Sequence, residues 1–141
     1  MYNTFKPEEP VGLMDFVKAA KSCIQECSVD ELHHKMENKE DMFLVDVRES
    51  SEHEQGHLPG ARLVPRGILE AAADPGYPKH DPELINARDR QVVLYCATGG
   101  RSAMAAAVLQ MMGFNNVLSL DGGFTAWTKA EKPVTSEARY V

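Results

Sequence analysis

The sequence predicts an α/β domain built on a mainly parallel sheet. Short apolar, β-prone runs recur along the chain, and stretches with helical periodicity or helix-start signals lie between them. One run, Gln91-Val92-Val93-Leu94-Tyr95, has no polar interruption after its first residue, as expected of a central strand covered on both faces. At 141 residues the chain fits a single domain, long enough to bury a core without disulfides or metals.

Taken in order, residues 1–10 are polar, contain Pro7 and Pro10, and read as a flexible tail. The domain proper is expected over 11–132, opening with a helix over 12–22 whose Leu13, Phe16, Val17 and Ala20 recur at helical spacing. A short first strand is expected over 24–27. Ser28 and Glu31 have capping-box spacing and start a helix reaching about Asn38. Met42-Phe43-Leu44-Val45 reads as a buried strand ending at Asp46, and a charged stretch follows to His57. Pro59-Gly60 turns the chain into another strand over 61–64. Residues 65–90 are the least regular part: a helix is expected over 68–73, then Asp74-Pro75-Gly76 and Pro78 break it and an excursion loop follows. After the 91–95 strand, Met104, Ala107, Val108 and Met111 mark a helix face, with Gly113 as its C-terminal cap. A last strand over 117–120 leads through Gly122-Gly123 to a helix anchored by Phe124 and Trp127. Residues 133–141 read as a C-terminal tail.

Composition narrows the function. Fifteen Lys and Arg against 21 Asp and Glu give a net charge of −6, the wrong sign for a nucleic-acid binder. No apolar run approaches the ~18 residues of a membrane span, and the N-terminus lacks a signal-peptide pattern. The three cysteines are expected to be free thiols of a reducing, cytoplasmic setting. Cys23 and Cys27, four apart with no second pair, do not have zinc-site spacing and read as small buried or half-buried hydrophobes.

Cys96 differs in its setting. It follows the central strand directly, where ligands of such sheets bind, and Ala97-Thr98-Gly99-Gly100-Arg101-Ser102 leads from it into a helix. Two glycines let that loop curl so that its amide N–H groups turn inward as an anion nest. The helix start adds a partial positive charge and Arg101 a full one. A thiol in such a bowl ionises below the ~8.5 of free cysteine, giving a nucleophile beside a cradle for an anion.

These residues carry a resemblance. The segment Val92 to Ser102, together with Leu118-Ser119-Leu120-Asp121-Gly122-Gly123-Phe124-Thr125-Ala126-Trp127 downstream, resembles the rhodanese (thiosulfate sulfurtransferase) domain. So do Asp46-Val47-Arg48-Glu49, Glu52 and Gly56-His57-Leu58-Pro59-Gly60-Ala61 upstream. The resemblance spans about residues 22–132. It implies a five-stranded parallel sheet flanked by helices on both faces. It also implies that Cys96 takes a sulfane sulfur from thiosulfate or a related donor as a persulfide, held by the amides of Ala97 to Ser102, and passes it to cyanide or a thiol. No metal or organic cofactor is implied. The expected partners are a small anionic donor, a thiol or cyanide acceptor and a protein thiol. A non-catalytic or persulfide-carrier module is the second class. Within the same architecture the rival is a cysteine phosphatase or arsenate reductase. Only Ala97, Thr98, Gly99 and Gly100 separate Cys96 from Arg101, one fewer than tyrosine-phosphatase-like enzymes use, and the shorter loop encloses a bowl suited to a sulfur atom.

Other candidates read more plainly. Asp46 and Arg48 are expected as a structural pair at a strand end, and His57 as a hydrogen-bonded turn residue near the site. Arg66, past a strand end after Pro65, has two readings: a solvated surface arginine, or a side chain leaning over the bowl to meet the donor's anionic group. The sequence departs from the family pattern at Ala97, which offers neither a basic nor a hydroxyl group, and at Ser50 and His53, read as packing variations.

Overall fold

The computed structural model describes residues 6–137. Five parallel strands form one sheet: β1 (Gln25–Cys27), β2 (Met42–Asp46), β3 (Arg62–Leu63), β4 (Gln91–Tyr95) and β5 (Asn116–Leu120), in the spatial order β1-β5-β4-β2-β3. The helices are α1 (Leu13–Cys23), α2 (Val29–Glu37), α3 (Ser50–Gln55), α4 (Leu69–Ala73), α5 (Pro82–Ile85), α6 (Gly100–Met111) and α7 (Gly123–Lys129), with a 3₁₀ turn at Arg66–Ile68.

Strand alternation divides the core into two layers. Val45, Val92, Leu94 and Val117 face Leu69, Ala106 and Leu109 of α4 and α6. Leu44, Val93, Tyr95 and Leu118 face the other way, onto Leu32 of α2 and Trp127 of α7. β2 and β4 lie side by side, yet the chain leaves β2 for the β3 edge and leaves β4 for β5 on the other side. Their carboxyl ends therefore form the switch point at which open α/β sheets bind ligands. Cys96 is the first residue beyond β4, at that point.

Several expectations shift. α1 buries Val17 and Ala20 but leaves Leu13 and Phe16 exposed, because it lies against α6 along a narrow stripe. α6 buries Ala103, Ala105, Ala106 and Leu109, while Met111 is exposed. The helix is covered by the sheet, α1 and α4, so its small residues are enclosed rather than the larger ones that the spacing picked out. The charged stretch after β2 contains α3, which opens on a box of reciprocal bonds between Glu49 and Glu52. The 65–90 excursion holds α5, started by Asp81 capping Glu83 N–H and by Pro82 in its first turn. Cys27 is buried but Cys23 is exposed. Of the two segments expected as tails, residues 6–10 are exposed, and 1–5 and 138–141 lie outside the described residues. Residues 133–137 are tied down: Thr135 and His57 exchange both backbone hydrogen bonds, at 2.8 and 2.9 Å.

Candidate active site

Tyr95 points toward α7, so alternation turns Cys96 toward α6, whose first turn closes over it. Cys96 is 1% exposed, and its sulfur sits inside its own loop. Gly99 N–H donates to Sγ at 3.1 Å and Ser102 N–H at 3.4 Å. Ser102 Oγ lies 3.5 Å from the sulfur and 2.8 Å from Ser119 Oγ. The loop can present its amides because its carbonyls are held elsewhere: Phe124 N–H donates to Cys96 O at 2.8 Å and Thr125 N–H to Ala97 O at 2.9 Å. α7 thus grips the outer side of the loop while the inner side faces the thiol. Gly99 takes φ +107 to make the curl, and Gly123 takes φ +58 with no room for a side chain, since a Cβ there would meet Cys96 O at 2.5 Å.

Burial alone pushes the Cys96 thiol up, but the bonds from the Ser102 hydroxyl and the amides of Ser102, Gly99 and Thr98 outweigh it and hold the group below its ordinary value. Arg101, expected to bring a full positive charge to the loop, is paired with a carboxylate. Its guanidinium forks onto Glu52 at 2.9 and 3.1 Å, and that pair holds the Glu52 carboxyl down to about 2. The loop therefore offers an anion mainly neutral N–H donors, with Arg101 fixed at the rim.

The remaining predicted residues separate from the sulfur. Asp46, fully buried, accepts from Arg48 Nε and Nη2, from the Arg48 backbone N–H at 2.9 Å and from the Tyr95 hydroxyl at 3.0 Å; His53 Nδ1 lies 2.8 Å from its Oδ2. Arg48 also donates to Gly56 O and lies over the Phe124 ring, 4.3 Å from its centroid. This cluster fastens β2, α3, β4 and α7 together beneath the loop. His53 thus does more than fill space. His57 stacks on His53 at 3.6 Å, and its two ring nitrogens lie against His53 O and Glu137 O. Arg66 pairs with Glu70 at 2.8 Å.

A cleft of about 290 Å³ opens above the sulfur. Thr98, Gly100, Arg101 and Met104 form one side; Leu13, Met14, Val17 and Lys21 of α1 form the other, and Arg66 does not line it. A larger cleft, about 550 Å³, lies at the opposite end of the strands near Met42 and Arg90, and Cys96 is not among its lining residues. Among the described residues no cluster of His, Cys, Asp and Glu could hold a metal ion, and no helix is long and apolar enough to cross a membrane. The role of α1 and the Glu52–Arg101 pairing were missed from the sequence. Glu52 stands within a family motif but carries no local sign of its partner 49 residues away.

Comparison with known proteins places this arrangement. The chain is 33% identical over 113 residues to a sulfurtransferase of Allochromatium vinosum, covering 80% of this chain and 96% of that one. It is 32% identical over 93 residues to the thiosulfate sulfurtransferase GlpE of Pseudoalteromonas translucida, covering 66% and 79%. Two relatives from Mycobacterium tuberculosis are longer, and the chain spans 24% of their length. A solved structure from Rhodopseudomonas palustris, described as of unknown function and a "Possible Tyrosine Phosphatase", superposes with a TM-score of 0.84 at 33% identity, covering 92% and 98%. The family described as the rhodanese-like domain matches residues 28–130, and with most of its length inside that match the chain belongs to this sulfurtransferase family.

Proposed function

We propose that this chain moves sulfane sulfur from thiosulfate, or a related donor, to a thiophilic acceptor through a persulfide on Cys96. The observation that carries the reading is the Cys96 sulfur ringed by inward amide donors at a cleft floor, an arrangement that favours the thiolate. The thiolate attacks the outer sulfur of thiosulfate; the S–S bond of the donor breaks and sulfite leaves with its electron pair. The new terminal sulfur carries the negative charge, and the loop amides from Ala97 to Ser102 stabilise it where they stabilised the thiolate. Cyanide or a thiolate then attacks that outer sulfur and Cys96 leaves as thiolate, closing the cycle without a cofactor. Arg101, fixed by Glu52, helps hold the anionic donor at the rim. Arg66 is set aside as a substrate contact in this scheme, since it does not line the cleft over Cys96 and pairs with Glu70 away from it. Asp46, Arg48 and His57 act as the frame beneath the loop. The free thiols fit a reducing compartment, for which the cytoplasm is the proposed setting.

The four-residue spacing between Cys96 and Arg101 favours sulfur over phosphate, although the Rhodopseudomonas neighbour bears a phosphatase description. The test is intact mass after incubation with thiosulfate, followed by cyanide and colorimetry for thiocyanate, with Cys96→Ala alongside. The native protein gains one sulfur atom and turns over; the variant does neither. Sulfur gain without turnover would mark a carrier. Hydrolysis of an aryl phosphate, lost in the same variant and without any sulfur gain, would replace this reading with a phosphatase.

A further inference from the structure

α1 precedes the span matched by the family, residues 28–130, yet it supplies one wall of the cleft over Cys96. Its packing stripe, Val17 and Ala20, is buried against α6, and Val17 reaches close to Gly100 of the loop. One turn nearer the cleft mouth, Leu13 and Met14 are 69% and 70% exposed, with Val11 and Phe16 also exposed beside them. Single exposed apolar side chains are ordinary, but a cluster at the mouth of a nucleophile's cleft marks a binding surface. Met104 continues the apolar wall from the loop side, while Arg101, paired with Glu52, and Lys21, 3.7 Å from Glu26, stand at the same opening. The volume holds roughly ten waters, more than thiosulfate alone would displace. An anion-binding floor under apolar walls matches a ligand with a charged sulfur head and an apolar body.

We propose that α1 is the specificity wall of this site, and that Leu13 and Met14 favour organic thiosulfonate donors with an apolar body over small inorganic ones. The proposal rests on Cys96 accepting sulfur as described above. In the loading step the Cys96 thiolate attacks the terminal sulfur of the thiosulfonate. The donor's S–S bond breaks, the sulfinate leaves with the electron pair, and the persulfide anion stays on the loop amides.

The probes are benzenethiosulfonate and methanethiosulfonate, which share the reacting head and differ in the body. Sulfur loading is followed by intact mass and by kcat/KM in a cyanide-coupled assay, for native protein and for Leu13→Ser/Met14→Ser. Intrinsic donor reactivity cancels when the ratio of the two donors in the native protein is divided by that in the variant. The double variant is expected to lower the benzene-to-methane ratio about tenfold, the size usual for lost hydrophobic pocket contacts. Met14→Ser alone, at a solvent-exposed position, shifts the ratio the same way by a smaller factor and serves if the double variant melts early. An unchanged ratio in both variants overturns the proposal while leaving sulfur transfer intact. Failure of every donor, thiosulfate included, to load Cys96 overturns the sulfur-transfer reading itself.

Discussion

Cys96 and Cys27 are 1% and 2% exposed, so burial by itself would raise both thiols alike. It does so for Cys27, which burial and the nearby Glu31 carboxylate push up to about 11. Cys96 moves the other way because Ser102, Gly99 and Thr98 aim hydrogen-bond donors at the sulfur. The difference between an inert and a reactive thiol here is therefore what surrounds the sulfur, since exposure is equal. The consequence is measurable by iodoacetamide labelling in a Cys23→Ser background, which removes the exposed thiol. Cys96 should label with a pH midpoint below the ~8.5 of free cysteine, and Cys27 only when the protein unfolds. A midpoint at or above that of free cysteine would remove the physical basis for a nucleophile at this position. This contrast was half legible in the sequence. Gly99, Gly100 and the helix start announce a nest around Cys96, whereas nothing near Cys27 promises donors. Arg101 was only partly legible, because the carboxylate that fixes it arrives from α3, a helix hidden in what looks like a charged loop.

At the level of elements, the loop depends on α7 as much as on α6. The first amides of α7 take the carbonyls of Cys96 and Ala97, at 2.8 and 2.9 Å, so that the loop's own N–H groups are left for the sulfur. Gly123 makes that approach possible: a Cβ there would lie 2.5 Å from Cys96 O and 2.7 Å from Ala97 C, both backbone atoms that cannot step aside cheaply. Its φ of +58 adds a conformational penalty for any other residue. Gly123→Ala should lower stability by about 1–3 kcal/mol, the range for strain at a special backbone position. Sulfur loading should fall further than the melt would suggest, because the loop must shift away from α7. Urea unfolding beside the loading assay checks this; full activity in a stably folded variant would show that α7 does not set the loop. The glycine pair was visible in the sequence as a turn, but its real partner was not. Only the folded sheet, with β5 beside β4, brings residue 123 against residue 96. The same limit hid α1, whose helical spacing was plain while its placement over the cleft required tertiary packing.

Across the whole molecule, the sheet and its switch point were readable from the strand runs, because buried parallel strands declare themselves by composition. The C-terminal segment was not, since Pro133 to Glu137 have no apolar periodicity and their value is in backbone partners. Pro133 O accepts from Trp127 Nε1 at 2.7 Å, Thr135 exchanges two backbone bonds with His57, and Glu137 O lies 2.9 Å from His57 Nε2. Trp127 and His57 are both buried, so cutting the segment removes these bonds together, and water entering the uncovered site replaces them only in part. A hydrogen bond exchanged for water costs about 0.5–1.5 kcal/mol net. The family match ends at residue 130, and a chain cut after Lys132, respecting that boundary, keeps every strand and the Cys96 loop yet loses all of these contacts. It should be less stable by about 2–4 kcal/mol, read as a lower urea midpoint. Trp127 is the only tryptophan, so its emission should shift to the red even under native conditions as its N–H turns to water. An unchanged midpoint together with unchanged emission would mean that the segment merely rests on the domain. The expected result would extend the folding unit past the family boundary, with His57 serving as the anchor that joins the end of the chain to the frame beneath the reactive loop.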